Sequence, residues 1–292
     1  SKTITGVSWS AGAKYLSQAF QLGVTVALMR LLPPKVFGLY AMGMVFVAFA
    51  GPLKRLGLKS ALIQDRDTTQ VQESTVFWLL VVVGVSLSLI FVLISPLVSE
   101  IYGSKEAGKV IIFLSPVIFL GAIGVVPRAF LEKKMRFDYL AMVDVPSVIT
   151  SGGVALGMAY NGYGVISLLI LQNIRAFLQG SLIWIFSSWY PTLQFSFSSS
   201  FNLVKYGVNL MGFNIVNKIS SYSDELIIGS FLGESQLGIY NRSKRIVRLP
   251  ISKVASAISD VIFPAMSSVQ KNNQKVKEIY IQSTQIISFL IF

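Results

Sequence analysis

The residues with chemistry to offer in this chain are cations set inside apolar runs. Between 237 and 266, a largely hydrophobic stretch carries Arg242, Lys244, Arg245, Arg248 and Lys253 on about half of its helical circumference, with Ile246, Val247, Val254 and Ile258 on the rest. Exposing one cation to the bilayer centre costs roughly 2.5–3.5 kcal/mol even on the permissive insertion scale, so the set together costs more than about 12 kcal/mol, comparable to the net stability of a whole protein. These cations must therefore line a wet cavity or be paired. Asp224, Glu225 and Asp260 are the obvious acidic candidates, which leaves a positive excess. Such an excess suits an anion, and arginine forks in particular match phosphate oxygens. The alternative is that Arg242 and Arg245 snorkel to the headgroups and Arg248 alone is deep.

Two polar stripes flank this cluster in sequence logic. The run 203–232 carries Asn214, Lys218, Ser221 and Glu225, beside Asn217 and Asp224, and the first apolar run carries Lys14, Gln18, Gln21 and Thr25. Both follow the i, i+4, i+7 spacing of one helical face. They coincide at an offset of 200: Lys14 falls on Asn214, Ser17 on Asn217, Gln18 on Lys218, Gln21 on Ser221 and Thr25 on Glu225, and Gly38-Leu39-Tyr40 falls on Gly238-Ile239-Tyr240. Six apolar segments precede the second copy, an even number, so the repeat is parallel and related by an axis along the membrane normal. Arg175, Lys54 and Arg55 add to the same positive field, although Lys54, Arg55 and Lys59 are equally read as inner-interface anchors. Asp144 is the one acid well inside the first half. An ion pair with Arg175 on the neighbouring segment is expected for it; facing a cavity it is instead placed to carry a coupling proton or cation, as are Asp224 and Glu225.

The elements that must position these groups are membrane helices. Of 292 residues, 53% are hydrophobic and only 13% charged, against roughly a quarter charged in soluble domains; the mean hydropathy is +0.65. Nine stretches, 6–32, 38–63, 76–99, 109–131, 139–160, 164–187, 203–232, 237–266 and 276 onward, approach the roughly 20 residues a crossing needs. The fold class expected is all-α: a polytopic membrane protein built as a two-lobed helix bundle with parallel six-helix repeats. The first lobe spans 1–190, an inter-lobe cytoplasmic loop 191–200, and 201–292 begins a second lobe that stays incomplete. The first segment, with Lys14 inside it and no small-residue cleavage pattern, is expected to be a retained helix.

Cysteine and histidine are absent, which removes thiolate nucleophiles and histidine-based catalytic pairs and most zinc sites. No Gly-x-x-x-x-Gly-Lys loop occurs, so ATP is not the direct energy source and no cofactor is expected. The formal charge of +12 belongs mainly to loops rather than to nucleic-acid binding. Loops on the N-terminal side hold Arg66, Arg128, Lys133, Lys134, Arg136, Lys271, Lys275 and Lys277; opposite loops hold Lys35, Lys105 and Lys109. The positive-inside rule then puts the N-terminus in the cytoplasm. Pro52, Pro96, Pro116, Pro127, Pro146 and Pro250 are expected to bend their helices, and Gly153 with Gly157 to mark close helix packing. In the long connection 187–200, Trp189 and Tyr190 suit the lipid headgroup level.

The run Leu31-Leu32-Pro33-Pro34-Lys35-Val36-Phe37-Gly38-Leu39-Tyr40, followed by Leu56-Gly57-Leu58-Lys59-Ser60-Ala61-Leu62-Ile63-Gln64, resembles the first hairpin of the Wzx-like polysaccharide transporters of the multidrug/oligosaccharidyl-lipid/polysaccharide exporter superfamily, with the colanic-acid-exporter-like subgroup the nearest. Pro127-Arg128 with Met135-Arg136-Phe137, the run from Asp224 through Tyr240, and Phe263-Pro264 extend the resemblance over nearly the whole chain. It implies a bacterial inner-membrane flippase of twelve or more helices. Such a protein moves an undecaprenyl-diphosphate-linked oligosaccharide outward by alternating access, beside a polysaccharide polymerase and other export machinery and without a covalent step. Basic residues on helices one, two and eight hold the diphosphate in that family; here the matching candidates are Lys14, Lys54, Arg55, Arg242, Arg245 and Arg248, with Arg175 and Lys218 in the same field and Lys14 standing where arginine is common. A drug or small-anion exporter of the same superfamily is the alternative. A membrane-embedded glycan polymerase or ligase lacks its catalytic group and external loop here.

Overall fold

Apolar runs this long satisfy their backbone only as helices when water is absent, and the described residues contain no strand. The computed structural model describes the backbone of residues 2–65, 67–268, 281 and 285, and the side chains of 12, 15–65, 67–247, 281 and 285. Among the described residues nine helices follow: α1 (Lys2–Leu31), α2 (Pro34–Arg55), α3 (Leu58–Gln64), α4 (Gln70–Ile101), α5 (Lys105–Ile123), α6 (Val125–Lys133), α7 (Phe137–Tyr160), α8 (Val165–Ser187) and α9 (Phe197–Ser268). Two crossings are broken. Leu56 and Gly57 turn left-handed between α2 and α3, and Gly124 separates α5 from α6. Taken with their continuations, Pro34–Gln64, Gln70–Ile101, Lys105–Lys133, Phe137–Tyr160 and Val165–Ser187 are each long and apolar enough to cross a bilayer. The α9 helix is two arms, 197–232 and 234–268, divided by a non-helical Gly233.

The chain forms two compact units, 1–239 and 240–292. Within the first, α4 lies along α5, α8 and α1 along α7, and α2 along α5. Val24, Leu28, Phe37, Leu114, Ala155 and Leu169 draw α1, α2, α5, α7 and α8 into one core. A second core, with Leu58, Val76, Leu80, Val126 and Trp189, ties α3, α4 and α6 to the segment after α8. Gly152 is where α7 meets α1: a Cβ there sits 2.9 Å from Val24 and 3.1 Å from Phe20. Gly153 and Gly157, the expected packing pair, face open space, because the contact falls one residue off that spacing. Pro52, Pro96, Pro116 and Pro146 do lie inside helices. Pro127 differs: it occupies the first turn of α6, where no backbone bond is lost.

The two ends of the bundle are built differently. At one, the turn end, the connections 32–33, 102–104 and 161–164 and the Gly233 break are all tight. At the other, the segment 188–196 runs as a strap held against the start of α4. Trp189 Nε1 donates to Glu73 Oε2 at 2.7 Å, Trp78 Nε1 to the Thr192 carbonyl at 2.9 Å, and Gln70 Nε2 to the Tyr190 carbonyl at 2.7 Å. The Thr192 and Ser196 amides donate to Ser74 Oγ and Thr75 Oγ1 at 2.9 and 3.0 Å. Phe77, Trp184 and Trp189 meet edge to face or tilted within 6.0 Å. Trp189 is therefore packed inside the protein, 3% exposed, while Tyr190 is exposed at 67%.

Candidate functional site

Charge inside the first unit is concentrated on five helices that face one another near the strap end. Lys59 on α3 contacts Glu132 on α6 at 2.7 Å, and Glu132 lies 3.5 Å from Arg128, one turn back on the same helix. Arg128 in turn forks onto both carboxylate oxygens of Asp144 on α7, at 3.0 and 2.5 Å. Gln179 on α8 donates to Asp144 Oδ1 at 2.9 Å. Arg175 follows on the same face of α8, about one 5.4 Å turn deeper, within Coulombic range of Asp144, Tyr40 and Arg128. One further turn along, Gln172 donates to the Tyr40 hydroxyl of α2. The order of contacts makes a polar ladder from the strap end inward.

Arg128 corrects the sequence reading twice. It lies on α6 and not in a loop, and it, rather than Arg175, is the ion-pair partner of Asp144. Sequence spacing held the clue, since Arg128 and Glu132 stand at i, i+4, a helical pairing and not a loop pattern. Arg55 also lies within Coulombic range of Arg128 and Glu132. The neighbouring Lys54 is buried, 9% exposed, with its side-chain end close to Gly121 of α5: a Cβ there would overlap Nζ unless the lysine moved. No carboxylate lies within 4 Å of Lys54, Arg55 or Arg175 among the described residues. Among the described residues the ladder thus gathers Arg55, Lys59, Arg128 and Arg175 around Glu132 and Asp144, with Lys54 beside Arg55, and keeps a cationic excess.

The remaining candidates lie on α9 or outside the described residues. On the first arm of α9, Lys218 is half-buried with its ammonium 5.4 Å from the Tyr222 ring, and Asp224 accepts from the Glu225 amide at 2.9 Å. Glu225 is buried, 4% exposed. It acts with burial on Tyr102, in the turn after α4, whose phenol is pushed up to about 12 by burial first and by that carboxylate second. In the second unit, Arg242 and Arg245 are half-buried and one turn apart. The side chains of Lys14, Arg248 and Lys253, and the loop cations Arg66, Lys271, Lys275 and Lys277, lie outside the described residues. No group of three or more acidic residues suited to hold a metal occurs among those described.

The two copies of the repeat meet each other at the turn end. A Cβ on Gly38 would overlap the backbone of Glu234, and a Cβ on Gly238 would overlap the backbone of Pro34. At the repeat offset of 200 these are the same contact taken in both directions, as a two-fold axis between the copies requires. Lys35 and Glu234 close it with an ion pair at 2.9 Å, and Leu237 is fully buried beside it. In the sequence these glycines mark turns; in three dimensions they form a crossing.

A family model described as a polysaccharide biosynthesis protein matches residues 27–292. Curated relatives include the succinoglycan biosynthesis transport protein ExoT of Rhizobium meliloti (strain 1021), 27% identical over 99% of this chain and 59% of its own length. The teichuronic acid biosynthesis protein TuaB of Bacillus subtilis (strain 168) is 26% identical over 84% of this chain and 51% of its own length. The lipopolysaccharide biosynthesis protein WzxC of Escherichia coli (strain K12) is 23% identical over 100% of this chain and 60% of its own. The chain therefore spans between half and three-fifths of the length of these relatives. Among solved structures, an inward-facing multidrug resistance MATE family transporter of the MOP superfamily superposes with a TM-score of 0.67 at 17% identity, over 94% of this chain and 68% of that one. That likeness is one of fold.

Proposed function

We propose, from the premise that this chain belongs to the polysaccharide biosynthesis protein family, that it is the larger part of a flippase for a diphosphate-linked glycan. The observation that carries the reading is the ladder: cations in excess of carboxylates inside a helical membrane bundle. Cations held at low local dielectric hold phosphate strongly, and the hydroxyl- and amide-bearing side chains of the stripes suit sugar hydroxyls. Undecaprenyl diphosphate is the lipid carrier whose headgroup has this chemistry. The diphosphate docks on the basic residues, the glycan follows through the polar interior, and the lipid tail stays in the bilayer without any covalent step.

In this reading the protein sits in a bacterial inner membrane with its N-terminus and strap end cytoplasmic, and the crossing of Gly38 and Gly238 closes the periplasmic end. The first lobe is 1–190, the strap within and before 191–200 joins it to a second lobe begun by 201–292, and the two rock about the axis between the copies. A proton or sodium ion at Asp144, Asp224 or Glu225 supplies coupling, and the polysaccharide polymerase receives the product. The test is export in a strain lacking its own flippase, complemented with the full-length protein. The triple variant Arg242→Ala, Arg245→Ala, Arg248→Ala is expected to reach the membrane and fail to export. Full export by that variant refutes the reading, and drug resistance without glycan export turns it to the exporter alternative.

A further inference from the structure

We infer that Asp144 is a displaceable placeholder for phosphate: it occupies the Arg128 fork in the empty protein and passes to Arg175 when a diphosphate takes that fork. The inference deepens the flippase reading and rests on it, since it adds Arg128 to the anion site and assigns how the site lets go.

Three observations carry it. Arg128 presents both terminal nitrogens to the two oxygens of Asp144, the planar two-point geometry with which arginine also grips a phosphate. Asp144 has a second cation waiting: Gln179 holds it on one side, and Arg175, one turn along α8 from Gln179, is within Coulombic range and has no carboxylate of its own within 4 Å among the described residues. Third, among the described residues the charged groups that reach the pair come from separate elements: Arg55 from α2, Lys59 on α3 through Glu132, Glu132 from α6 and Arg175 from α8. A carboxylate that only bolted α6 to α7 needs no second cation on α8.

The exchange strands neither Arg128 nor Asp144 without a counter-charge. Arg128 trades a carboxylate for a phosphate while Asp144 trades one guanidinium for another, which avoids the heavy penalty of stranding a desolvated charge. Lys54 adds a further cation on α2 next to Arg55: the residue is 9% exposed and has no carboxylate within 4 Å among the described residues. Release is built in as well: when Asp144 returns to Arg128, it competes the diphosphate off.

The experiment is binding of undecaprenyl diphosphate to the full-length protein in nanodiscs, with inorganic pyrophosphate as competitor. Asp144→Asn removes the competitor carboxylate and is expected to bind about tenfold tighter while exporting more slowly, whereas Arg128→Lys, which keeps charge but loses the fork, binds about tenfold weaker. Gln179→Leu, which alters no charge and frees Asp144, is expected to tighten binding about threefold and serves if the Asn variant does not fold. Equal or weaker binding by both Asp144→Asn and Gln179→Leu overturns the placeholder while leaving the flippase standing. Failure of the unaltered protein to bind the lipid diphosphate overturns the flippase reading and the placeholder with it.

Discussion

Replacing Gly38 by alanine adds one methyl at the crossing of the two repeats. The atoms it would meet are the carbonyl oxygen, carbonyl carbon and Cα of Glu234, all backbone, so no rotamer change can relieve the overlap. The helices must part by about 1–2 Å to restore ordinary van der Waals spacing, and overpacking of this kind costs roughly 1–3 kcal/mol. In a transporter that alternates, the cost falls only on the conformation in which this end is closed. The balance between closed and open then shifts by about 5- to 150-fold. Gly238→Ala is expected to do the same, because its Cβ would strike Pro34 from the other side of the same contact. Gly153→Ala, with open space at its Cβ position, is the control. The 292 residues contain no cysteine, so a thiol at the fully buried Leu237 reports opening through its labelling rate with an impermeant maleimide. Faster labelling of Leu237→Cys in both glycine variants, at unchanged membrane abundance, is the expected result. Unchanged labelling in both, together with normal export, refutes the crossing as a closure.

Two further substitutions probe the frame around the site. Trp189→Ala removes a buried indole together with its bond to Glu73 and is expected to destabilise the first unit by roughly 3–5 kcal/mol, read as lost thermal stability in detergent; Trp78→Phe keeps an aromatic ring but loses the bond to Thr192 and part of the ring's packing on Phe77, and costs less, about 1–2 kcal/mol. Gly152→Val drives a branched side chain into Val24 and Phe20 and is expected to lower stability by about 1–3 kcal/mol, whereas Gly153→Val, facing open space, leaves the same melting assay nearly unchanged.

The crossings were legible in the sequence because a bilayer admits little else: a long apolar run of the right length satisfies its backbone only as a helix. Breaks within crossings were less so. Leu56-Gly57 and Gly124 divide continuous apolar runs, and hydropathy is blind to a local change of backbone angle. At the site, individual cations such as Lys54 and Arg175 stood out against apolar neighbours, but their company did not. Arg128 looked like one of several loop cations because α6 is a short helix placed just before the charged run 132–138; its bond to Asp144 joins separate helices and leaves no periodic trace. Gly152 and the pair Gly38 and Gly238 matter for what lies opposite them, and sequence spacing within one helix does not encode the neighbour.

The strap carries a consequence for assembly. Its bonds join residues 70–78 to residues 189–196 across sequence separations of 114 to 121, so none can form until α8 has been synthesised. Contacts of such range close late, since a long loop must lose its freedom before they return anything. The polar start of α4 therefore waits, with Glu73, Ser74 and Thr75 unpartnered by the strap, through the insertion of four later helical segments. The strap's arrival is the step that turns a set of inserted helices into a finished half, and variants that weaken it are expected to show their defect in the yield of newly made protein before any slowing of transport.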